Sequence, residues 1–151
     1  MKLAEALILR ADSQKRIAQL KSRLLTNAKV QEGDTPAENA QELLDQLDRV
    51  SAELVDLIKR INKTNSATTF AGAGTISDAL AERDVLSLRR GAFSELAQTA
   101  AISQGRFTRS EVKYVSTINV AEIQKRADEL AKCYRELDAR IQEFNWQTEL
   151  I

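Results

Sequence analysis

The stretch IQKRADELAKCYRELDARIQEF, residues 123–144, decides the fold. Its apolar side chains recur in alternating steps of four and three residues, which gives a repeat of seven. They are Ile123, Ala127, Leu130, Tyr134, Leu137, Ile141 and Phe144. Such a repeat places one narrow apolar stripe along a helix, as in coiled coils. The stretch therefore predicts a long helix that packs lengthwise against another helix.

A second stripe with the same spacing lies in the first half of the chain, at Leu43, Leu47, Val50, Leu54, Leu57 and Ile61. Residues 2–28 and a segment that begins at Thr75 also keep helical spacing, but charged residues interrupt their apolar stripes. We predict a mainly α fold: four helices, coiled-coil-like, in two long antiparallel hairpins. Residues 1–151 are expected to form a single helical domain.

Local signals predict where three of these helices begin. Thr35-Pro36-Ala37-Glu38 has the composition of a capping box with proline at the first helical position, so the second helix is expected from here to about Ile61. Thr75 with Asp78 starts the third helix in the same way. Asn119 followed by Glu122 starts the fourth.

Two stretches between the helices have β character. Residues 63–74 are expected to be a turn with a short strand, because they are rich in asparagine, threonine and glycine. Residues 111–118 alternate in the period of two that is typical of a strand. We therefore predict a small β-hairpin between two helical hairpins, residues 1–62 and 75–151.

Charge and hydropathy exclude several classes of function. Lysine plus arginine equals aspartate plus glutamate at 22 each, so no global field steers the chain to nucleic acid or anionic lipid. No stretch approaches the ~20 apolar residues of a membrane span. The apolar run at residues 7–9 is too short for a secretion signal, so we expect a cytoplasmic protein. With one cysteine, Cys133, and no histidine, we expect no internal disulfide, no metal and no cofactor.

A group of charged residues falls at or beside apolar stripe positions: Arg10, Glu82, Arg83, Asp84, Arg89 and Arg90. One interpretation is an ion-pair layer that fixes the register of helices or subunits. The other is a binding site for an anionic or phosphorylated small molecule, because arginine matches phosphate and carboxylate geometry. In the second interpretation the glycine-rich turn at residues 70–75 would contribute free backbone amides to the same site. It lacks the third glycine of a dinucleotide fingerprint and the lysine of a P-loop, so a simple turn is the favoured interpretation.

Several phrases resemble a small bacterial family of uncharacterised proteins, some of which are called septicolysin. They are KLAEALILRADSQKRIAQLKSRL (2–24), NAKVQEGDTPAE (27–38), INKTNSAT (61–68), DALAERDVLSLRR (78–90) and RIQEFNWQTEL (140–150). The resemblance implies a helical, self-associating protein, and the name implies a toxin that perforates membranes. The residues argue against lysis, because no span, basic amphipathic face or long alternating strand is present.

These observations favour a cytoplasmic coiled-coil protein that forms a homo-oligomer and acts as an interaction or scaffold module. We expect neither nucleic acid nor membrane as a partner. The alternative is a protein that binds, or is an enzyme acting on, a phosphate-bearing small molecule through the arginine-rich stripe. No residues match a catalytic signature, so we assign no catalytic residues. The third hypothesis, a cytolysin, follows only from the resemblance.

Overall fold

The structure, a computed structural model, describes residues 1–101 and 113–151. Within these ranges the chain forms four helices: α1 (Leu3–Thr26), α2 (Ala40–Ala67), α3 (Ile76–Ala100) and α4 (Val120–Gln147). The mainly α prediction is confirmed. The predicted β-hairpin is wrong, because neither range contains a strand beyond isolated bridges. Residues 113–118 of the predicted strand do not form one, and residues 111–112 of that prediction lie outside the described ranges.

The first of two compact units comprises residues 1–69 and 143–151. Helices α1 and α2 pack together through a core of Leu20, Leu43 and Val50, flanked by Ile17, Leu24 and Leu47. Arg23, near the end of α1, contacts Glu38, just before α2, so the two helices run antiparallel. The stripe that predicted α2 thus faces its partner helix, since Leu43 and Val50 are buried.

The predicted start of α2 is wrong by several residues. Residues 35–38 are not helical, and α2 begins at Ala40 with Asn39 as its N-cap, whose side chain accepts from the backbone N–H of Gln41 at 2.9 Å. Glu38, expected inside the helix as part of a capping box, instead binds the guanidinium of Arg23. A contact between α1 and the loop before α2 therefore outweighs the local capping signal.

The predicted end of α2 is also wrong, since the helix continues to Ala67 instead of ending near Ile61. The hydroxyl of Thr64 donates to the carbonyl of Arg60 at 2.9 Å, and Ser66 does the same to Asn62. These hydroxyls bond back along the helix, so they do not end it. The predicted turn shrinks to the few residues that follow Ala67.

The second unit comprises residues 70–142. A tight turn precedes α3, in which Gly72 and Gly74 have φ of 83° and 74°. Thr75 and Asp78 form the predicted capping box at the start of α3. At the start of α4, Asn119 accepts from the backbone N–H of Glu122 at 3.1 Å, as predicted.

The two chain ends are joined within the first unit. The backbone N–H of Leu3 donates to the carbonyl of Thr148 at 2.9 Å, and that of Leu150 donates to Met1 at 2.9 Å. The N–H of Ile151 donates to the hydroxyl of Thr64 at 3.0 Å. The segment after α4 is therefore fixed against the start of α1 and the end of α2.

The chain contains an internal repeat of one helical hairpin, which the apolar stripes alone do not reveal. When residues 39–70 are aligned with residues 119–150, an offset of 80 in residue number, α2 matches α4. Identical residues then occur at eight positions, among them the N-caps Asn39 and Asn119. An offset of 73 in residue number aligns α1 with α3. The capping carboxylates Glu5 and Asp78 then occupy equivalent positions. Each of these carboxylates accepts a backbone N–H at 2.7 Å.

The backbone bonding of the turn before α3 repeats at the junction of the chain ends before α1. The N–H of Leu150 donates to Met1 at 2.9 Å, and the N–H of the equivalent Phe70 donates to the equivalent Gly74 at 3.0 Å. Because backbone bonds, caps and side chains agree at the same offsets, positions in one hairpin can be compared directly with positions in the other.

Candidate functional site

The structure places five of the six charged candidates on α3, in the second unit, and Arg10 on α1, in the first. By the offset of 73, Arg10 occupies the position equivalent to Arg83, and both side chains are half-buried. Glu82, Asp84, Arg89 and Arg90 are exposed. The six residues are therefore two equivalent arginines and an exposed group on α3.

Arg83 is held by two carboxylates. One guanidinium nitrogen lies 3.0 Å from Asp138 on α4, and another lies 3.0 Å from Asp84. Burial lowers the pKa of Arg83, but the hydrogen bonds to Asp84 and Asp138 outweigh it and raise the pKa above its ordinary value. With both carboxylates already bound, Arg83 carries little free charge for an added anion. Its geometry is that of an ion pair that ties α3 to α4.

The opposite situation holds for Glu82, Arg89 and Arg90, which form no ion pair with any residue in the described ranges. Glu82 and Arg89 line an open, largely apolar groove of about 480 Å³ together with Ala81, Val85 and Leu86. We call this groove the outer groove. Its charged groups are available to a partner.

Beside this groove, apolar residues run along the exposed side of α3. Ala81, Val85, Leu88 and Ala92 follow steps of four, three and four, and we call them the α3 stripe. Val85 is 53% exposed and Leu88 is 74% exposed. The sequence predictions missed this stripe because they considered only the buried side of α3, although the same heptad spacing that revealed α4 marks it.

The internal repeat shows that the hairpin does not require this apolar stripe. The positions of α1 equivalent to Val85, Leu88 and Ala92 hold Asp12, Lys15 and Gln19, which are also exposed. Only Ala81 has an apolar counterpart, Ile8. The apolar character of the stripe is therefore particular to α3.

A second feature is a cleft of about 270 Å³ between α3 and α4, which we call the arginine cleft. It is lined by Arg89, Phe93, Arg126, Glu129, Leu130 and Cys133. The guanidinium of Arg126 lies 4.7 Å from the centre of the Phe93 ring. This cation–π contact orients the guanidinium. The exposed thiol of Cys133 lies at the edge of the cleft.

The same cleft recurs in the first unit, with a volume of about 380 Å³. Its lining residues Arg16, Gln46, Arg49, Val50 and Glu53 correspond to Arg89, Arg126, Glu129, Leu130 and Cys133 by the offsets of the repeat. Each cleft contains two arginines and one glutamate. Arg16 and Arg89 are at equivalent positions, whereas the second arginine and the glutamate are at non-equivalent positions in the two clefts. Two similar cationic clefts are thus a property of the repeated hairpin.

Hydrogen bonds within the glycine-rich turn occupy part of its backbone. Three of the six N–H groups of residues 70–75 are bonded: Phe70 N–H to Gly74, Ala73 N–H to Phe70, and Thr75 N–H to the carboxylate of Asp78 at 2.7 Å. The backbone N–H and the hydroxyl of Thr75 lower the pKa of Asp78. A carboxylate therefore takes the place that a phosphate would need.

Neither a metal site nor a membrane span is found in the described part of the chain. Across residues 1–101 and 113–151, no group of three or more cysteine, aspartate or glutamate side chains is arranged to hold a metal ion. No helix in the same ranges is both long enough and apolar enough to cross a membrane.

Comparison with known proteins gives a family. Among curated proteins, none matches this chain. A crystal structure described as a functionally unknown conserved protein from Corynebacterium diphtheriae is 50% identical and has a TM-score of 0.95, over 100% of this chain and 99% of that one. The model of a family of unknown function, DUF6847, matches residues 10–150. The chain therefore belongs to the DUF6847 family, whose function is unknown.

Proposed function

We propose that the protein is a cytoplasmic helical interaction module that works as a homo-oligomer. The observation that carries the proposal is the α3 stripe, where Val85 and Leu88 stand 53% and 74% exposed at heptad spacing. Contiguous exposed apolar side chains at this spacing are typical of a helix that packs against another helix. The exposed thiol of Cys133 suits a reducing compartment.

Light scattering coupled to size exclusion tests the proposal, with the protein loaded over a hundredfold range of concentration. A chain has a mass of 16.8 kDa. We expect a species of at least twice this mass that dissociates on dilution, because a short helix pair binds by mass action. A monomer at every concentration would contradict the proposal.

The repeated arginine clefts favour a second candidate, a binder of anionic small molecules such as phosphorylated metabolites. Two guanidinium groups in one cleft match a phosphate, and Phe93 offers a ring for stacking. Because the cleft occurs in both hairpins, a chain would bind two ligands. Titration calorimetry with inorganic phosphate and a panel of nucleotides tests this, with Arg126→Gln as the variant expected to lose one site. The charged group of the sequence analysis contributes Arg89 to this candidate.

Membrane lysis is not proposed. It follows only from the resemblance to septicolysin, which stays a prediction.

A further inference from the structure

We infer that two copies of the chain pair through their α3 stripes, antiparallel and about a two-fold axis that passes between residues 86 and 87. This inference rests on the proposed self-association and names the surface and geometry that carry it. Four observations support it: the pairing of stripe residues, the flanking charges, the shape of the outer groove and the contrast with α1.

The stripe residues match one another in the antiparallel direction. In heptad notation Val85 and Ala92 occupy a positions, while Ala81 and Leu88 occupy d positions. In antiparallel coiled coils, a residues form layers with d residues of the partner helix. One axis pairs Val85 with the second copy's Leu88, and Ala81 with its Ala92. The two large residues thus lie at the centre and the two alanines at the ends.

In the same antiparallel register, the charged residues beside the stripe of one copy face residues of opposite charge in the other copy. Glu82 and Arg89 are seven residues apart on one edge of the stripe, and neither has an ion-pair partner within the described residues. The two-fold axis brings Glu82 of each copy next to Arg89 of the other. In a parallel pair these two residues would lie on opposite edges of the interface, out of reach of each other, so the Glu82–Arg89 pairing occurs only in the antiparallel arrangement.

The outer groove has the shape that such a pairing needs. A knob in helix packing inserts into a hole formed by four residues of the facing helix. Four of the five groove residues, Glu82, Val85, Leu86 and Arg89, have the spacing i, i+3, i+4 and i+7 of such a hole. Gly91, at the end of the stripe, has no atom within 4 Å of the place its side chain would occupy, so the second helix can approach closely.

The contrast with α1 indicates that the stripe serves something beyond the folding of the hairpin. The equivalent exposed positions on α1 are polar at three of four sites, and α1 still packs on α2. A second copy of α3 fits the stripe because the stripe is its own complement in both shape and charge. An unrelated partner has no reason to match a reversed copy of this sequence.

The first test substitutes the centre of the stripe and a matched exposed valine elsewhere. Val85→Arg places two charges in the central layers and is expected to raise the dimer Kd by about a hundredfold or more. Val55→Arg is the control, since Val55 on α2 is 51% exposed and the equivalent residue of α4 is Arg135. Its dimer Kd is expected to stay within about twofold of the wild type. Circular dichroism checks that both variants fold.

The second test reverses the flanking charges. Glu82→Arg and Arg89→Glu singly create two like-charge contacts each, and each is expected to raise the dimer Kd by about tenfold. The double variant restores opposite charges between copies and is expected to return the Kd to within about threefold of the wild type. If the two residues do not contact each other between copies, the effects of the two single substitutions on the dimer Kd should instead add in the double variant.

The outcomes separate the two proposals when Kd is measured by sedimentation equilibrium. A wild type that is monomeric at all concentrations overturns both. A wild-type oligomer that survives Val85→Arg, or that dissociates equally with Val55→Arg, overturns the α3 pairing and leaves self-association standing. A double charge variant no tighter than the single ones overturns the antiparallel register. Dissociation by Val85→Arg alone, with recovery in the double charge variant, supports the inference.

Discussion

The guanidinium of Arg83 on α3 lies 3.0 Å from the carboxylate of Asp138 on α4, at a point where both side chains are only partly exposed. This ion pair directly links the two helices of the second hairpin. It also removes Arg83 from the charged group that the sequence indicated as a ligand site. Of the charges in this group that form no ion pair within the described residues, Glu82 and Arg89 flank the α3 stripe.

Loss of this ion pair is expected to destabilise the fold modestly. Asp138→Ala leaves Arg83 with one carboxylate, and we expect the free energy of unfolding to fall by about 1 kcal/mol. Urea denaturation measures it. The control is Glu136→Ala, which breaks an exposed pair in which the carboxylate lies 3.8 Å from the ammonium of Lys132. This control should cost about 0.5 kcal/mol or less, because exposed ion pairs contribute little. Equal costs for the two variants would contradict the role given to Arg83.

Truncation of the first-unit core is expected to cost much more. Leu20 is 1% exposed and packs against Leu43 and Val50. Leu20→Ala therefore leaves a cavity and should lower the free energy of unfolding by about 2–5 kcal/mol. The control is Leu25→Ala on the same helix, which removes a side chain that is 67% exposed. It should change stability by about 0.5 kcal/mol or less. Chemical denaturation of both proteins makes the comparison.

One of the contacts at the junction of the chain ends involves a buried hydroxyl. Thr64 is fully buried, and its hydroxyl accepts the N–H of Ile151 at 3.0 Å. Thr64→Val keeps the shape but removes the acceptor, which should destabilise the fold by about 1–2 kcal/mol. Hydrogen exchange of the Ile151 amide should become faster. Ser66→Ala, which removes an exposed hydroxyl from the same helix, should leave that exchange rate unchanged.

Stability is expected to fall at acid pH through Asp78, the capping carboxylate of α3. Thr75 lowers the pKa of Asp78 below its ordinary value, so the folded state binds that proton more weakly than the unfolded chain does. The resulting stabilisation is present above the ordinary aspartate pKa and is lost as the pH falls through the lowered one. Asp78→Asn should therefore reduce the fall in melting temperature between pH 7 and pH 3, and part of the fall should remain because Arg23 lowers the pKa of Glu38 and Lys2 lowers that of Glu149. An unchanged fall in the variant would contradict the role given to Asp78.

Much of the helical architecture was predictable because its signals are local. The heptad stripes of α2 and α4 and the caps at Thr75 and Asn119 lie within single helices, and the structure confirms them. The start of α2 was predicted wrongly because Glu38 binds Arg23 of α1 and does not cap α2. The end of α2 was also predicted wrongly. Polar side chains after Ile61, such as Thr64, donate hydrogen bonds to backbone carbonyls of the preceding turn, which composition alone does not show.

The candidate site was predictable only in part. The group on α3 was recognised as unusual, but the partner of Arg83 is Asp138, 55 residues away, and no pattern connects them. The α3 stripe and the internal repeat were both present in the sequence as regular spacings, at heptad steps and at offsets of 73 and 80. The α3 stripe is hard to predict because it lies on the exposed side of the helix, and the repeat is hard to predict because identical residues recur at only eight of the 32 positions of residues 39–70.

Distances between spin labels test the antiparallel pairing of α3 most directly. Single labels go on Ser87→Cys and on Gln98→Cys, both exposed positions, with Cys133→Ser to remove the native thiol. Antiparallel pairing predicts a short distance between the two labels at residue 87, which lies close to the axis. At residue 98 it predicts a separation of about 35 Å along the helix, from the rise of about 1.5 Å per residue. Equal short distances at both positions, or no interaction between copies at either, would contradict it.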